Sequence, residues 1–206
     1  MKLYGHPDSG HALKVKFCLN SANIEHEYEV IDIFSDQNSR NPEFVNRSKH
    51  CEVPLLVDED ISLIQSNSIL IYIAKKFGLY GAKSDSELQT CLEWLMWESN
   101  KIGMCLPQLR ADKKLKGFEL SNGAREWLLA RYTHDVGVIN NELKDARPYI
   151  IGDNLSIADF SLCGYLMYAE EAEVDIPKNV DIWRDRLKNL NGWSNPYEML
   201  STNKKG

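Results

Sequence analysis

The chain has 206 residues, 43% of them hydrophobic and 26% charged, a balance that suits one large globular domain or two modest ones. The formal charge of -6 is spread evenly, with 8 basic and 11 acidic side chains in residues 1–80 and 16 and 19 in the rest, so no nucleic-acid-binding face is expected. No run approaches the ~18 apolar residues of a membrane span, and Met1 to Pro7 lacks the apolar core of a leader. The five cysteines form no Cys-x-x-Cys pair and have no histidine at zinc-ligand spacing. A soluble, cytoplasmic protein with reduced thiols, no metal and no membrane partner is therefore expected.

In chain order, Met1–Gly5 reads as a short strand. A helix starting near Gly10 follows, with Leu13, Val15, Phe17, Leu19 and Ala22 as its apolar stripe, and Tyr28–Ile33 alternates as a second strand. Pro42-Glu43-Phe44 opens a short helical turn. The apolar run Val53–Val57 suits a buried strand, Asp58-Glu59-Asp60 a turn, and Ile61, Leu63 and Ile64 a return strand. Gln65-Ser66 then precedes Ile69, Tyr72, Ile73 and Phe77 at helical spacing, which puts Ser66 near a helix N-terminus, where unpaired N–H groups attract an anion such as a carboxylate. The order βαβα then ββα predicts a small mixed sheet with helices on its faces over residues 1–80.

Leu79–Ser86, with Gly81, Ser84 and Asp85, reads as a linker, and residues 86–200 as an all-helical domain. Its first helix carries Leu88, Leu92, Trp94, Leu95, Trp97 and Ile102. A Lys-rich loop at 113–116 leads to a second long helix over roughly Asn122–Lys144. After Pro148, Ser156 suits an N-cap with Asp159 at N3, and Leu155 and Phe160 take the positions of a hydrophobic staple, a constellation with a folding role. A last helix over Val180–Leu190 ends at Asn191-Gly192, and 201–206 is read as a tail. Cys18, Cys91 and Cys163 lie in apolar-periodic segments and are read as core residues, whereas Cys51 stands just before Val53-Pro54.

Together these features resemble the cytosolic glutathione transferase family, and the match covers nearly the whole chain. It is carried by Tyr4-Gly5-His6-Pro7-Asp8-Ser9 after the first strand, Val53-Pro54 and Gln65-Ser66 in order and spacing, and Gly152-Asp153 followed by Ser156-Ile157-Ala158-Asp159. The opening Lys2-Leu3-Tyr4-Gly5-His6-Pro7 looks most like bacterial members. The resemblance implies a thioredoxin-like domain with a four-stranded mixed sheet, an all-helical C-terminal domain, glutathione as co-substrate and a homodimer engaged in detoxification. It implies a cis Val53–Pro54 bond that turns the Val53 N–H and C=O towards the cysteinyl backbone of glutathione, with Gln65 and Ser66 holding the γ-glutamyl end. On spacing alone, Val53-Pro54 is more simply a strand start and Gln65-Ser66 a helix cap.

The resemblance makes Ser9 the catalytic hydroxyl. A free thiol has a pKa near 8.5, so only a few per cent is thiolate at neutral pH. A hydroxyl donating to the sulfur beside a helix N-terminus favours the charged form, and a drop of roughly two units needs about 2.7 kcal/mol. Ser9 can equally serve as the cap of the helix that starts near Gly10. A thioredoxin-type redox centre is disfavoured, because Pro7-Asp8-Ser9-Gly10 stands where Cys-x-x-Cys would be. His11 is a further candidate contact, although a surface histidine on a first helical turn is commoner.

The chain departs from the family pattern at Ser48-Lys49-His50-Cys51-Glu52. Cys51 stands in place of a glycine, which matters if that backbone needs positive φ, and Glu52 in place of a residue that meets the glycyl carboxylate. Lys49 or His50 can approach that carboxylate instead. For a small hydrophobic electrophile the resemblance offers Trp97, Lys101, Met104 and Cys105, although a Trp and Met stripe at helical spacing is more often core. The leading expectation is a glutathione transferase. Alternatives are a glutathione-dependent peroxidase or disulfide reductase, a glutathione-using isomerase, and a non-catalytic binding module.

Overall fold

A four-stranded sheet in the order β2-β1-β3-β4 organises the first part of the chain. β1 (Lys2–Gly5) runs parallel to β2 (Glu27–Val30), and β3 (Leu55–Asp58) is antiparallel to both β1 and β4 (Ile61–Leu63). The computed structural model describes residues 1–81 and 83–201. Two helices, α1 (Gly10–Ser21) and α3 (Ser66–Phe77), and the short α2 (Pro42–Arg47) complete the βαβα-then-ββα order expected from the sequence. The second strand stops at Val30, three residues short of its expected end, although the Ile31 N–H still donates to Gly5 O at 2.8 Å.

Every residue of β3 is buried, as a strand with neighbours on both sides and covered faces should be. Tyr4, Ile31, Phe44, Leu55 and Val57 form one apolar cluster, onto which Cys51 and Val53 pack. Helix α1 is buried from Ala12 to Leu19, Lys14 and Lys16 included, which its sequence stripe does not foretell. The reason lies at the far end of the chain. The segment from Leu190 returns to this unit, and α9 (Pro196–Ser201) packs along α1. Trp193 meets Phe17 edge-on with ring centres 5.0 Å apart, and Tyr28 Oη donates to Leu200 O at 3.1 Å. The sequence reading carried the helical domain to residue 200, and its expected tail lies outside the described residues except for Ser201.

The other compact unit, Gly78–Asn189, is helical. Here α4 (Asp85–Ser99) and α5 (Ile102–Lys114) replace the single helix expected to reach Ile102. The chain breaks at Asn100-Lys101, and the break is held tight by Gly103. A Cβ there would lie 2.5 Å from Glu98 Oε1 and 3.0 Å from the Glu98 carbonyl oxygen. The lysines at 113 and 114 belong to the last turn of α5, where their charge suits the helix C-terminus. α6 (Asn122–Glu142) matches its expected span, α7 (Ile157–Leu166) is buried almost all round, and α8 (Lys178–Lys188) ends two residues before Leu190. The expected capping box is present at Ser156 and Asp159. Among the described residues no helix is long and apolar enough to cross a membrane.

Candidate functional site

Strand register brings three distant segments to one end of the sheet. Tyr4 pairs with Leu55 in antiparallel sense, so the residues after β1 lie beside those before β3, Pro54 and Val53. Leu63 pairs with Leu56, so the chain leaving β4 delivers Gln65 and Ser66 to the same end. The N-termini of α1 and α3 both open there, and each presents unpaired N–H groups and a positive dipole end. Lys14, buried on α1, donates to Asn67 Oδ1 at 3.2 Å and ties the two helices together next to Ser66.

The turn that carries Ser9 is built by short-range bonds. The Ser9 N–H donates to His6 O at 2.9 Å and the Asp8 N–H to His6 Nδ1 at 3.1 Å. Gly5 just before it has no room for a side chain, since a Cβ would sit 2.7 Å from Tyr28 Oη and 3.0 Å from the Ala12 Cβ. Ser9 itself is the N-cap of α1, in extended conformation, and its Oγ accepts the Ala12 N–H at 3.1 Å. It is 6% exposed. Among the described residues no acceptor takes its hydroxyl proton, so one donor remains to be used. The cap reading of Ser9 is thus observed, and it leaves the donor half of the hydroxyl unspent.

The loop before β3 takes an unusual shape. Cys51 has φ +53°, the conformation for which glycine is favoured, at the position where the sequence resemblance implies a glycine. Its N–H donates to Ser48 O at 3.0 Å, closing a turn across Lys49 and His50, both exposed, as is Glu52. Arg40 then staples the loop, with Nη1 donating to Cys51 O at 2.8 Å and Nη2 to Ile33 O and Ser35 O at 2.9 and 3.0 Å. The Val53–Pro54 bond is cis. No described residue hydrogen-bonds the Val53 N–H or C=O. Ser66 is 8% exposed and its hydroxyl has no described partner, while Gln65 is exposed and lends its carbonyl to the Ile69 N–H at 2.9 Å.

Ser9, Val53, Pro54, Gln65 and Ser66 therefore converge, and His11 follows half-buried on the first turn of α1. The four residues offered for the electrophile belong to the helical unit. Trp97 is half-buried on α4, edge-on to Trp94 at 5.5 Å, Lys101 stands in the break, and Met104 is half-buried on α5. Cys105 is fully enclosed, and burial pushes its thiol up to about 11, which leaves it a core residue. Cys18, Cys91 and Cys163 are buried as expected, and no cysteine is in a disulfide. Arg40 and Tyr197, which shape the site's loops, carried no signal in the sequence, and Asp8 stood there only as one residue of the Ser9 motif. Each is a single polar residue whose partners are set only by folding.

Comparison with known proteins bears on the fold and the family. The Glutathione S-transferase, N-terminal domain profile matches residues 1–75, and the Glutathione S-transferase, C-terminal domain profile residues 130–199. The disulfide-bond oxidoreductase YfcG of Escherichia coli is 26% identical over 196 residues, covering 87% of this chain and 86% of its own. A structure of a possible glutathione S-transferase from Rhodopseudomonas palustris is 26% identical, covers 95% of this chain and 97% of its own, and superposes with a TM-score of 0.84. The glutathione transferase of Burkholderia graminis, crystallised with two glutathione molecules per subunit, shares the fold at 24% identity and a TM-score of 0.83, covering 100% of this chain and 89% of its own. With both domain profiles in order on a mixed sheet and a helical unit, the chain belongs to the glutathione S-transferase family.

Proposed function

We infer that the protein is a glutathione transferase in which the Ser9 hydroxyl donates a hydrogen bond to the glutathione sulfur, whose own proton is lost to solvent, and holds it as thiolate for attack on a small hydrophobic electrophile. The observation that carries this reading is the half-used Ser9 hydroxyl. Its oxygen is fixed by the Ala12 N–H, its proton has no acceptor among the described residues, and an oxygen that accepts a hydrogen bond is a stronger donor in turn. The idle backbone of Val53 suits pairing with the cysteinyl unit as an added strand, and the partnerless Ser66 hydroxyl at the α3 N-terminus suits the γ-glutamyl carboxylate. Lys49, His50 and His11 are assigned to the glycyl end and the rim of the site, and the working form is taken to be a homodimer.

Calorimetric titration with glutathione, together with thiolate absorbance against pH, tests the reading. Wild type should bind and lower the thiol pKa by roughly two units, and Ser9→Ala should bind within a few-fold while losing most of that shift. Failure to bind at millimolar concentration would sink the reading. An unmoved thiol pKa in Ser9→Ala reduces Ser9 to a helix cap.

A second reading draws on the similarity to YfcG, a disulfide-bond oxidoreductase. The same bound thiolate would attack the glutathionyl sulfur of a mixed disulfide. The old S–S bond breaks as glutathione disulfide forms, and the other thiolate leaves and takes a proton. Release of glutathione disulfide from a glutathionylated thiol, with no conjugation of aryl halides, would favour it.

A further inference from the structure

The C-terminal segment reaches the Ser9 turn directly. Tyr197, on α9, donates its phenol proton to Asp8 Oδ1 at 3.2 Å, across 189 residues of sequence, and Asp8 is the residue immediately before Ser9. The phenol is not there by chance of a loose end. Upstream, Gly192 presses on α1 so closely that a Cβ would lie 2.5 Å from the Asn20 carbonyl carbon, its carbonyl accepts from Asn20 Nδ2 at 3.4 Å, and Trp193 stacks edge-on against Phe17. Downstream, Met199 and Leu200 are buried and Leu200 O accepts from Tyr28. The tyrosine is carried between two anchors, and its own N–H is held by Asn195 Oδ1 at 3.0 Å.

We propose that Tyr197 is a positioning residue for Ser9, holding the Asp8 carboxylate so that the turn presents the Ser9 hydroxyl and the carboxylate's charge is drawn away from the thiolate. The charge argument follows from the other side of the turn. His6 Nδ1 accepts the Asp8 N–H at 3.1 Å and lies 4.0 Å from Asp8 Oδ2, beyond hydrogen-bond reach of that oxygen. A carboxylate one residue from the reacting hydroxyl disfavours a second negative charge nearby, and a donor that shares its charge lessens that penalty. The phenol supplies such a donor. This inference rests on the glutathione-thiolate reading given above.

The test uses the full chain as wild type, Tyr197→Phe, Asp8→Asn and the double variant. It measures glutathione affinity by calorimetry, bound-thiol pKa by thiolate absorbance, and kcat and KM with an activated aryl halide. Tyr197→Phe should leave glutathione affinity within about twofold, raise the bound-thiol pKa by about half a unit and lower kcat below neutral pH about threefold, with KM hardly moved. Asp8→Asn should lower the thiol pKa, and adding Tyr197→Phe to it should change nothing further. A thiol pKa in Tyr197→Phe equal to that of wild type, or the same shift with and without Asp8, overturns the proposal while leaving the transferase reading intact. Absence of glutathione binding by wild type overturns both. If Tyr197→Phe does not fold, Asp8→Asn decides alone, and an unchanged thiol pKa there overturns the proposal.

Discussion

Four described helices of this protein begin with a serine cap, and the two buried caps, Ser9 and Ser156, differ in what becomes of the hydroxyl proton. At α7, Ser156 Oγ accepts the Ala158 N–H at 3.2 Å and donates to Asp159 Oδ2 at 3.0 Å, while Asp159 also takes the Ser156 N–H at 3.0 Å and, on its other oxygen, the Ile150 N–H and Trp183 Nε1, both at 2.9 Å. Every polar atom of that box is spent. At α1, Ser9 Oγ accepts the Ala12 N–H and its proton goes to no described residue. An identical local motif is structural where a buried carboxylate closes it and open to a ligand where none does. A cap assignment and a binding assignment are therefore compatible, provided the donor and acceptor of one hydroxyl are counted separately.

The largest test of this contrast is Asp159→Ala. The carboxylate is wholly buried, and burial pushes its pKa up despite four hydrogen bonds, so its removal strands the Ile150 and Trp183 donors. Urea unfolding should show a loss of about 4 kcal/mol, and Ser156→Ala a loss of about 1 kcal/mol. Neither should move the bound-thiol pKa. A shift in that pKa would break the division between a structural and an open cap.

A second test asks whether the body of α1 behaves as scaffold while its N-terminus behaves as site. Lys16, buried on α1, donates to His26 Nε2 at 2.7 Å, and His26 Nδ1 faces Ile24 O at 2.7 Å, which fixes a neutral ring protonated on Nδ1. Burial, with the Lys16 charge beside it, lowers the His26 pKa to about 4. Below its ordinary pKa of about 6.5 the unfolded chain binds a proton that the folded chain refuses, so stability falls as pH drops from about 6.5 towards 4. The loss is about 1.4 kcal/mol per unit, nearing 3 kcal/mol at pH 4. His26→Gln should flatten that part of the profile in thermal melts and leave the thiol pKa alone.

Next comes Ser9→Ala, for which loss of the donated bond should lower kcat/KM for an aryl halide by about a hundredfold, or roughly 2.7 kcal/mol, with about 1 kcal/mol of stability lost through the cap. Stability lost without activity lost would make Ser9 the equal of Ser156. The smallest effect is expected at Cys51→Gly, where relief of the positive φ is partly offset by lost packing, so chemical denaturation should show a gain below about 1 kcal/mol. In the same loop, Glu52→Gln should tighten glutathione binding only about twofold, because the exposed side chain's charge is screened.

What could be read from the residues in order was whatever short-range physics dictates. The Ser9 turn after a strand, the Val53-Pro54 and Gln65-Ser66 joints and the Ser156/Asp159 box all depend on periodicity and on caps that reach three or four residues. Their order sufficed to recover the element sequence of the sheet unit, both domain types and the family. The break between α4 and α5 was missed because apolar spacing runs on through Ile102, and only Gly103 against Glu98 in three dimensions shows why the chain turns.

Tertiary structure alone decided the rest. It laid residues 190–201 along α1 and so buried a helix whose own stripe is weak, and it closed Arg40 onto the loop at Cys51 and Tyr197 onto Asp8. It also settled which of the two buried cap serines keeps a proton to give. Such pairings join residues from 11 to 189 positions apart, beyond the reach of a helical turn or a cap, and each contact forms only because packing elsewhere has already brought its partners together.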